Sequence, residues 1–407
     1  MTARTGVQTA DFADVKAANL AVVLRHVRGN APCSRADIAA ATGLNKATVS
    51  NLVADLIDRR LLREDGPSGF RIGRPATMLA LDGAPYATIG VEVGSDHLTA
   101  LAVDLLGHRL LSWRRSFAEH VSSPGRAVAA IAALARRAAI RAARQGRQVL
   151  GLTVGVPGLV DNDGVVHRSP HLGWSDVDLR GRLVSALRGP AYSVVVDNDA
   201  NLAVLAEKRY GPYPEATNLA YLTGGAAISA GVVADGRLLR GNRGFSGAIG
   251  HLQVRPGGPP CVCGRDGCLE ALAGIPALIR RVLPDADTDL TAADLAPDVQ
   301  ELIRRATAGD RPALDALAET GRWLGHGAST LTNLVNSEVV ILGGYFAPLA
   351  PWLIPSLEVE LAHRTAAPRA GGCRVAAATL GTDSTALGAA ARVLDHIDSG
   401  QLPEHSP

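Results

Sequence analysis

Lysine is nearly absent from this chain: only Lys16, Lys46 and Lys208 occur among 407 residues, and arginine supplies almost all the positive charge. We read that bias as the codon usage of a GC-rich genome and attach no function to it. No uninterrupted apolar run is long enough to cross a bilayer, and the opening MTARTGVQTADFAD lacks the basic start and apolar stretch of a secretory leader. Both absences predict a cytoplasmic protein without membrane contact. Cysteine is scarce as well: there are five, an odd set, and three crowd into the eight residues from Cys261 to Cys268. In a reducing compartment such crowding argues for metal ligation over disulfides. Cys33 and Cys373 are read as plain buried thiols.

No large charge excess marks the chain, whose formal net charge is +2. Its distribution says more, because residues 1–80 carry eleven Lys/Arg against seven Asp/Glu and the remainder is slightly acidic. The N-terminal part is therefore the better polyanion binder. What the chain does have is length and apolar content: 407 residues with 47% hydrophobic predict two or three well-packed domains.

Between residues 12 and 62, apolar positions recur at helical spacing and are broken by Pro32, Ser34 and Gly43, which predicts three helices. Ser34 and Asp37 have capping-box spacing, so a helix should begin near Arg35 and stop at Gly43. Asn45 should cap the next, with Val49, Leu52, Val53, Leu56 and Ile57 facing inward. Its other side presents Lys46, Thr48, Ser50 and Asn51, small polar residues suited to base edges in a major groove. Arg35 and Lys46 are cast as phosphate contacts. The competing reading is a small helical oligomerisation module. Against it stands the segment that follows, Leu61–Gly66 and Arg71–Pro75, which reads as two strands around a loop, a wing able to lay Arg71 and Arg74 into a minor groove. The same segment could also be an interdomain linker.

From Ala87 onward β-rich runs alternate with helices, including an Ala/Arg helix from about Gly125 to Arg144, and Asp235-Gly236 should close a hairpin. This is an α/β pattern. Several segments in order, GVPGLVDNDG (155–164), HLGW (171–174), DNDAN (197–201), GAIGH (247–251), CVCGRDGCLE (261–270), VVILGG (339–344) and LGAA (387–390), resemble the ROK family of repressors and sugar kinases, over nearly the whole chain. The resemblance implies a winged helix-turn-helix at 1–82 and a two-lobed actin-like, ribonuclease H-like sugar-kinase domain, with lobes at 83–198 and 199–397 and a tail at 398–407. It also implies homodimers or homotetramers, a double-stranded DNA operator with palindromic symmetry, and a sugar or sugar-derivative effector.

His251, Cys261, Cys263 and Cys268 offer the four soft or borderline donors that Zn²⁺ favours, with Gly264 and Gly267 letting the short loop close. We expect a structural zinc in loop 251–268; buried free thiols are the alternative. By resemblance His251 also faces a sugar hydroxyl, Asn198 and Glu270 contact sugar, and Asp199 stands where the family's kinases have their general base. The alternative for Asp199 is a helix cap ahead of Ala200, a role compatible with the first. Two departures argue against kinase activity. The family's D-x-G-G-T phosphate loop is Glu92-Val93-Gly94-Ser95-Asp96 here, and its G-T-G-I-G loop is Gly225-Ala226-Ala227-Ile228-Ser229, so charge and side chains enter the space that phosphates need. Two more fall in the sugar pocket, where Ala248 replaces a glutamate and His171 an asparagine. The sequence thus predicts a regulator rather than an enzyme, with an ATP-dependent sugar kinase, or a vestigial cleft governed by a protein partner, as alternatives.

Overall fold

The computed structural model describes residues 12–67, 76–94, 97–117, 122–284, 295–366 and 372–403. The N-terminal region combines α1 (Phe12–Asn30), β1 (Cys33–Ser34), α2 (Arg35–Thr42), α3 (Lys46–Asp58), β2 (Leu62–Pro67) and β3 (Thr77–Leu81). The Ser34 hydroxyl accepts the Asp37 amide at 3.2 Å and the Asp37 carboxylate accepts the Ser34 amide at 3.0 Å, so the capping box starts α2. Gly43, with φ 73°, supplies the left-handed cap that ends it. Asn45 caps α3 by accepting the Thr48 amide at 2.8 Å. Val49, Leu52, Val53 and Leu56 are buried, whereas Ile57, expected inside, is only half-buried at the rim. The strands form an antiparallel sheet with β3 in the middle. The return strand of the hairpin is Thr77–Leu81; Arg71–Pro75, expected to be that strand, lies outside the described residues. Strand β1 has no sequence signature, since its two residues pair only with the distant β3.

The first lobe holds β4 (Tyr86–Val93), β5 (His97–Val103), β6 (Arg109–Ser116), α4 (Pro124–Arg144), β7 (Gln148–Val156), β8 (Leu159–Val160), β9 (Val165–Ser169), β10 (Trp174–Asp178), α5 (Leu179–Ala186) and β11 (Ser193–Asn198). The second holds α6 (Asp199–Tyr210), β12 (Leu219–Gly224), β13 (Ile228–Ala234), β14 (Arg237–Leu238), α7 (Leu269–Ala273), α8 (Ile275–Val282), α9 (Ala296–Thr307), α10 (Arg311–Val335), β15 (Val339–Gly344), α11 (Phe346–Arg364) and β16 (Arg374–Ala377), followed by α12 (Ser384–Asp398). The five-stranded sheets run β11-β7-β4-β5-β6 and β14-β13-β12-β15-β16. In each, an antiparallel meander of three strands is extended by two strands parallel to its first. One topology has therefore been used twice, as an actin-like fold requires.

The two faces of the first sheet explain where α12 goes. Ile89, Val91 and Val93 pack in the core that includes α4, so Gly90 points to the other face by strand alternation. A Cβ on Gly90 would lie 1.9 Å from the Ala386 carbonyl oxygen, so α12 packs directly on β4. The last helix, numbered with the second lobe in a linear division of the chain, thus completes the packing of the first. Residues beyond it are docked too: Leu402 packs against the N-terminal core, and Arg59 donates to the Pro403 carbonyl at 2.6 Å. No helix among the described residues is long and apolar enough to cross a membrane. Cys33 is buried as expected; Cys373, expected to be buried, is only half-buried, just before β16 at the margin of the second lobe's core.

Candidate functional site

On α3 the side opposite the core presents Lys46, Ser50 and Asn51 exposed and Thr48 half-exposed. The residues meant to read DNA are thus accessible together at the N-terminal end of one helix. Arg35 is different: its guanidinium donates to Glu64 on β2 at 3.1 Å, which shares its charge within the same module. Arg71 and Arg74 lie outside the described residues.

A cleft of about 770 Å³ opens between the two sheets, and Glu92, His171, Asn198, Asp199, His251 and Glu270 all line it. Parallel strand β11 ends at Asn198 and α6 begins there, so the carboxyl end of a strand and a helix N-terminus meet at the cleft. Asn198, not Asp199, is the helix cap: its side-chain oxygen accepts the Ala200 and Asn201 amides at 2.9 and 3.1 Å. Its side-chain amide donates to the Gly158 carbonyl at 3.1 Å, so most of its capacity is spent on shaping the site. Asp199 occupies the first helical turn instead, where it accepts the Ala200 amide at 2.9 Å and faces the Ser229 hydroxyl at 3.5 Å. Burial pushes its carboxyl up to about 6 against those hydrogen bonds.

Glu270 has one oxygen on the Ile228 amide at 3.1 Å, which ties the start of β13 to α7. Its other oxygen is 3.7 Å from His171 Nε2, too long for a hydrogen bond. His171 is buried, and among the described residues neither ring nitrogen has a hydrogen-bond partner. A buried ring with neither nitrogen partnered leaves its full hydrogen-bonding capacity turned to the cleft.

His251 lies in a 3₁₀ turn, Ile249–His251, with Nδ1 3.6 Å from Cys261 Sγ. Cys263 Sγ and Cys268 Sγ are 3.7 Å apart, and all four donor atoms lie within 4.8 Å of one another. A tetrahedron with arms of ~2.3 Å has edges of about 3.8 Å, so these separations fit one small metal ion and no disulfide. Gly264 and Gly267 both have positive φ, and a Cβ on Gly267 would lie 1.6 Å from the Arg255 carbonyl oxygen. Only glycine closes the loop there. Burial raises the Cys263 thiol, but hydrogen bonds from the Arg265 backbone and side chain outweigh it and bring the group down to about 7. Cys268 is pushed up to about 12 by burial and by the neighbouring thiols. A bound cation would favour the thiolate form of all three cysteines together.

Residues 88–396 match the ROK family, which is more than half of the chain. The chain belongs to the ROK family. Residues 21–69 also match the MarR family, which places a second family over the helical head. The xylose repressor of Bacillus subtilis (strain 168) is 29% identical over 388 residues, covering 95% of this chain and 98% of the relative. A crystal structure described as a ROK family transcriptional regulator, homolog of the E. coli MLC protein, superposes with TM-score 0.81 at 26% identity, over 95% of this chain and 98% of that one. A ROK family glucokinase from Streptomyces griseus, in complex with glucose and AMPPNP, superposes with TM-score 0.62 at 26% identity, over 75% of this chain and 98% of that one. The repressor and the regulator match over the head as well as the body; the kinase is covered whole by three-quarters of this chain.

Within the ROK framework, two features in and beside the cleft have no signature in the sequence. Burial pushes Glu92 up to about 7, against the pull of His97 and with the push of Asp199, and its Oε2 has no partner among the described residues. The sequence marks Glu92 only as the start of an altered phosphate loop; the charge repulsion it feels from Asp199 links residues more than a hundred apart. Asp197 pairs with Arg240 and accepts from the Asn201 side chain at 3.1 Å, so the acidic DNDAN segment is partly scaffold. Of the two loops read as unfit for phosphate, Ser95-Asp96 lies outside the described residues, while Ala226 and Ala227 both line the cleft. Ala248 lines it too, where a carboxylate would otherwise stand.

Proposed function

We propose that this protein is a DNA-binding transcriptional regulator, a repressor, whose kinase-like body binds a sugar or sugar derivative and has lost phosphoryl transfer. The observation that carries the reading is the exposed polar face of α3, capped and packed as a recognition helix, on a body whose cleft brings together His171, Asp199, His251 and Glu270. Carboxylates and imidazoles converging on such a space suit a polyol, which needs several acceptors and donors at once. The head, residues 1–82, would read the major groove through Thr48, Ser50 and Asn51, and Lys46 would neutralise phosphate. Arg71 and Arg74 would reach the minor groove. Homodimers or homotetramers on a palindrome fit a module with one reading helix per chain.

Zinc is the ion proposed for His251, Cys261, Cys263 and Cys268, in a structural role: three thiolates and an imidazole fill a tetrahedron and leave no open position for substrate. When bound it holds residues 251–268 against α7, and so presents His251 to the cleft. Loss of kinase activity rests on Ala226 and Ala227 in the cleft wall, whose methyl groups fill space that a nucleotide phosphate would need. The work would be done in the cytoplasm.

The test is selection of genomic fragments with purified protein. Enrichment of one palindromic sequence, with affinity altered by a sugar from a defined panel, supports the reading; absence of any enriched sequence refutes it. Asp199 favours a second reading, since a buried carboxyl near 6 is a competent general base. ADP release with ATP, magnesium and a hexose, abolished by Asp199→Asn, would establish a kinase.

A further inference from the structure

Two helices run from the ligand cleft to the DNA-reading head. Asp199 opens α6 at the cleft, and Ser384 and Thr385 open α12 there; the Thr385 hydroxyl donates to the Asp199 carbonyl at 3.5 Å. At the other end, Arg209 of α6 donates to Asp395 and Asp398 of α12, at 3.2 and 2.9 Å. Asp398 in turn pairs with Arg28 of α1, and its carbonyl accepts from Arg25 of α1 at 3.2 Å. Leu394 and Ile397 of α12 are buried in the same core as Leu20 and Leu24 of α1 and Leu56 of α3. Just past the helix, Gly400 has φ 95°, and a Cβ there would lie 2.6 Å from the Ala17 carbonyl oxygen.

Between these ends the helices are locked together. A Cβ on Gly388 would lie 1.8 Å from the Leu202 carbonyl oxygen, so their backbones touch where α12 crosses α6. Backbone contact of that kind resists shear, because closely packed elements move as units rather than deform. The 12 residues of α6 and the 15 of α12 are rods of about 18 and 22 Å, long enough to join cleft to head directly.

We propose that the α6–α12 pair is the mechanical link between ligand and DNA, and that the cluster Arg28–Asp398–Arg209–Asp395 is the joint through which it moves α1. A ligand seated on Asp199 shifts the helix pair as one body. The ion cluster, shared among α1, α6 and α12, then exists in two registers, and DNA affinity follows whichever the ligand favours. This rests on the reading that the cleft takes a small ligand and the head binds an operator.

The test uses the full chain, a selected operator fragment, and D-xylose and D-glucose as probes. Where a sugar binds by calorimetry, it should change operator Kd by about tenfold in the wild type. Arg209→Gln should leave sugar Kd and sugar-free operator Kd within about threefold yet cut the coupling ratio below about twofold, and Arg209→Lys, which keeps the charge, should recover much of it. Should Arg209→Gln fail to fold, Asp395→Asn removes one partner and should lower the ratio in the same direction. An undiminished ratio in the folded variant, or a wild-type ratio near one with sugar bound, overturns the proposal. If neither sugar binds, the ligand reading is at fault and the link is judged without one. Asp199→Asn should then alter amide exchange in α1 by about fivefold in the wild-type background and less than about twofold with Arg209→Gln. Unchanged α1 exchange overturns it.

Discussion

In the head, the groups that shape the reading face lie within a few positions of one another: Ser34 with Asp37, Asn45 with Thr48, and Lys46 to Asn51 on one helix. In the cleft, Glu92, His171, Asp199 and Glu270 come from four separate segments and meet only because two sheets pack around them. The first region is built by local capping and periodicity, the second by long-range topology. A substitution in the head should therefore act where it is made, whereas one that disturbs the body should be felt at several sites together.

The metal loop gives the largest expected break between the two. Chelation, or Cys263→Ser, should remove binding free energy on the order of ~10 kcal/mol from residues 251–268. One metal ion per chain should be lost by atomic emission, with proteolytic cleavage near Arg255 or Arg265, while the helical signal of α1–α3 persists. A loop that stays protected after metal removal would break the contrast. Gly388→Ala comes next. A methyl group forced onto the Leu202 carbonyl should cost about 3 kcal/mol in denaturant melts, where an exposed alanine on the head, such as Ala47, should tolerate change within about 0.5 kcal/mol.

The cleft carboxyls add a pH signature that the reading face lacks. Asp199 and Glu92 have ordinary values of 3.8 and 4.5 and stand near 6 and 7 when folded, so the native state holds their protons longer than the unfolded one. Their contribution to stability is present below about pH 4 and is lost as pH rises towards about 7. Glu92→Gln together with Asp199→Asn should flatten that slope in thermal melts across the same window. Because the two groups interact, a single substitution should move the other's transition rather than simply delete one.

Smaller effects belong to the head. Asn51→Ala should relax specificity at one operator position by about 1–3 kcal/mol, whereas Lys46→Ala should weaken all sequences alike and lower the salt slope by about one. Ser34→Ala should cost about 1 kcal/mol of stability with sugar affinity unchanged. An altered sugar affinity there would sharpen the comparison in another direction, since it would mean that the head feeds back on the cleft.

What could be read from the linear chain follows the same division. The limits of α2 and α3 were legible because a capping box, an Asn cap and a terminal glycine act within one helical turn. The donor set His251, Cys261, Cys263 and Cys268 was legible because its spacing is itself the constraint on a small loop. Ile57 was misplaced because periodicity marks a face of a helix and not how far the neighbouring elements cover it. The cap offered as the alternative role of Asp199 belongs to Asn198, a shift of one residue settled by which side chain accepts the Ala200 and Asn201 amides.

Caps and motif spacing were sufficient for the helix-turn-helix and the metal-ligand set, since each depends on interactions that close over a few residues, while the alternation of strands with helices marked the α/β class of the body without giving its topology. Long-range matters were left to the folded chain, among them the repulsion between Glu92 and Asp199, the unpartnered ring of His171, and the seat of α12 on the first sheet beneath the head. Those depend on which distant surfaces meet. No local pattern encodes that meeting, because it is decided by packing over the whole molecule.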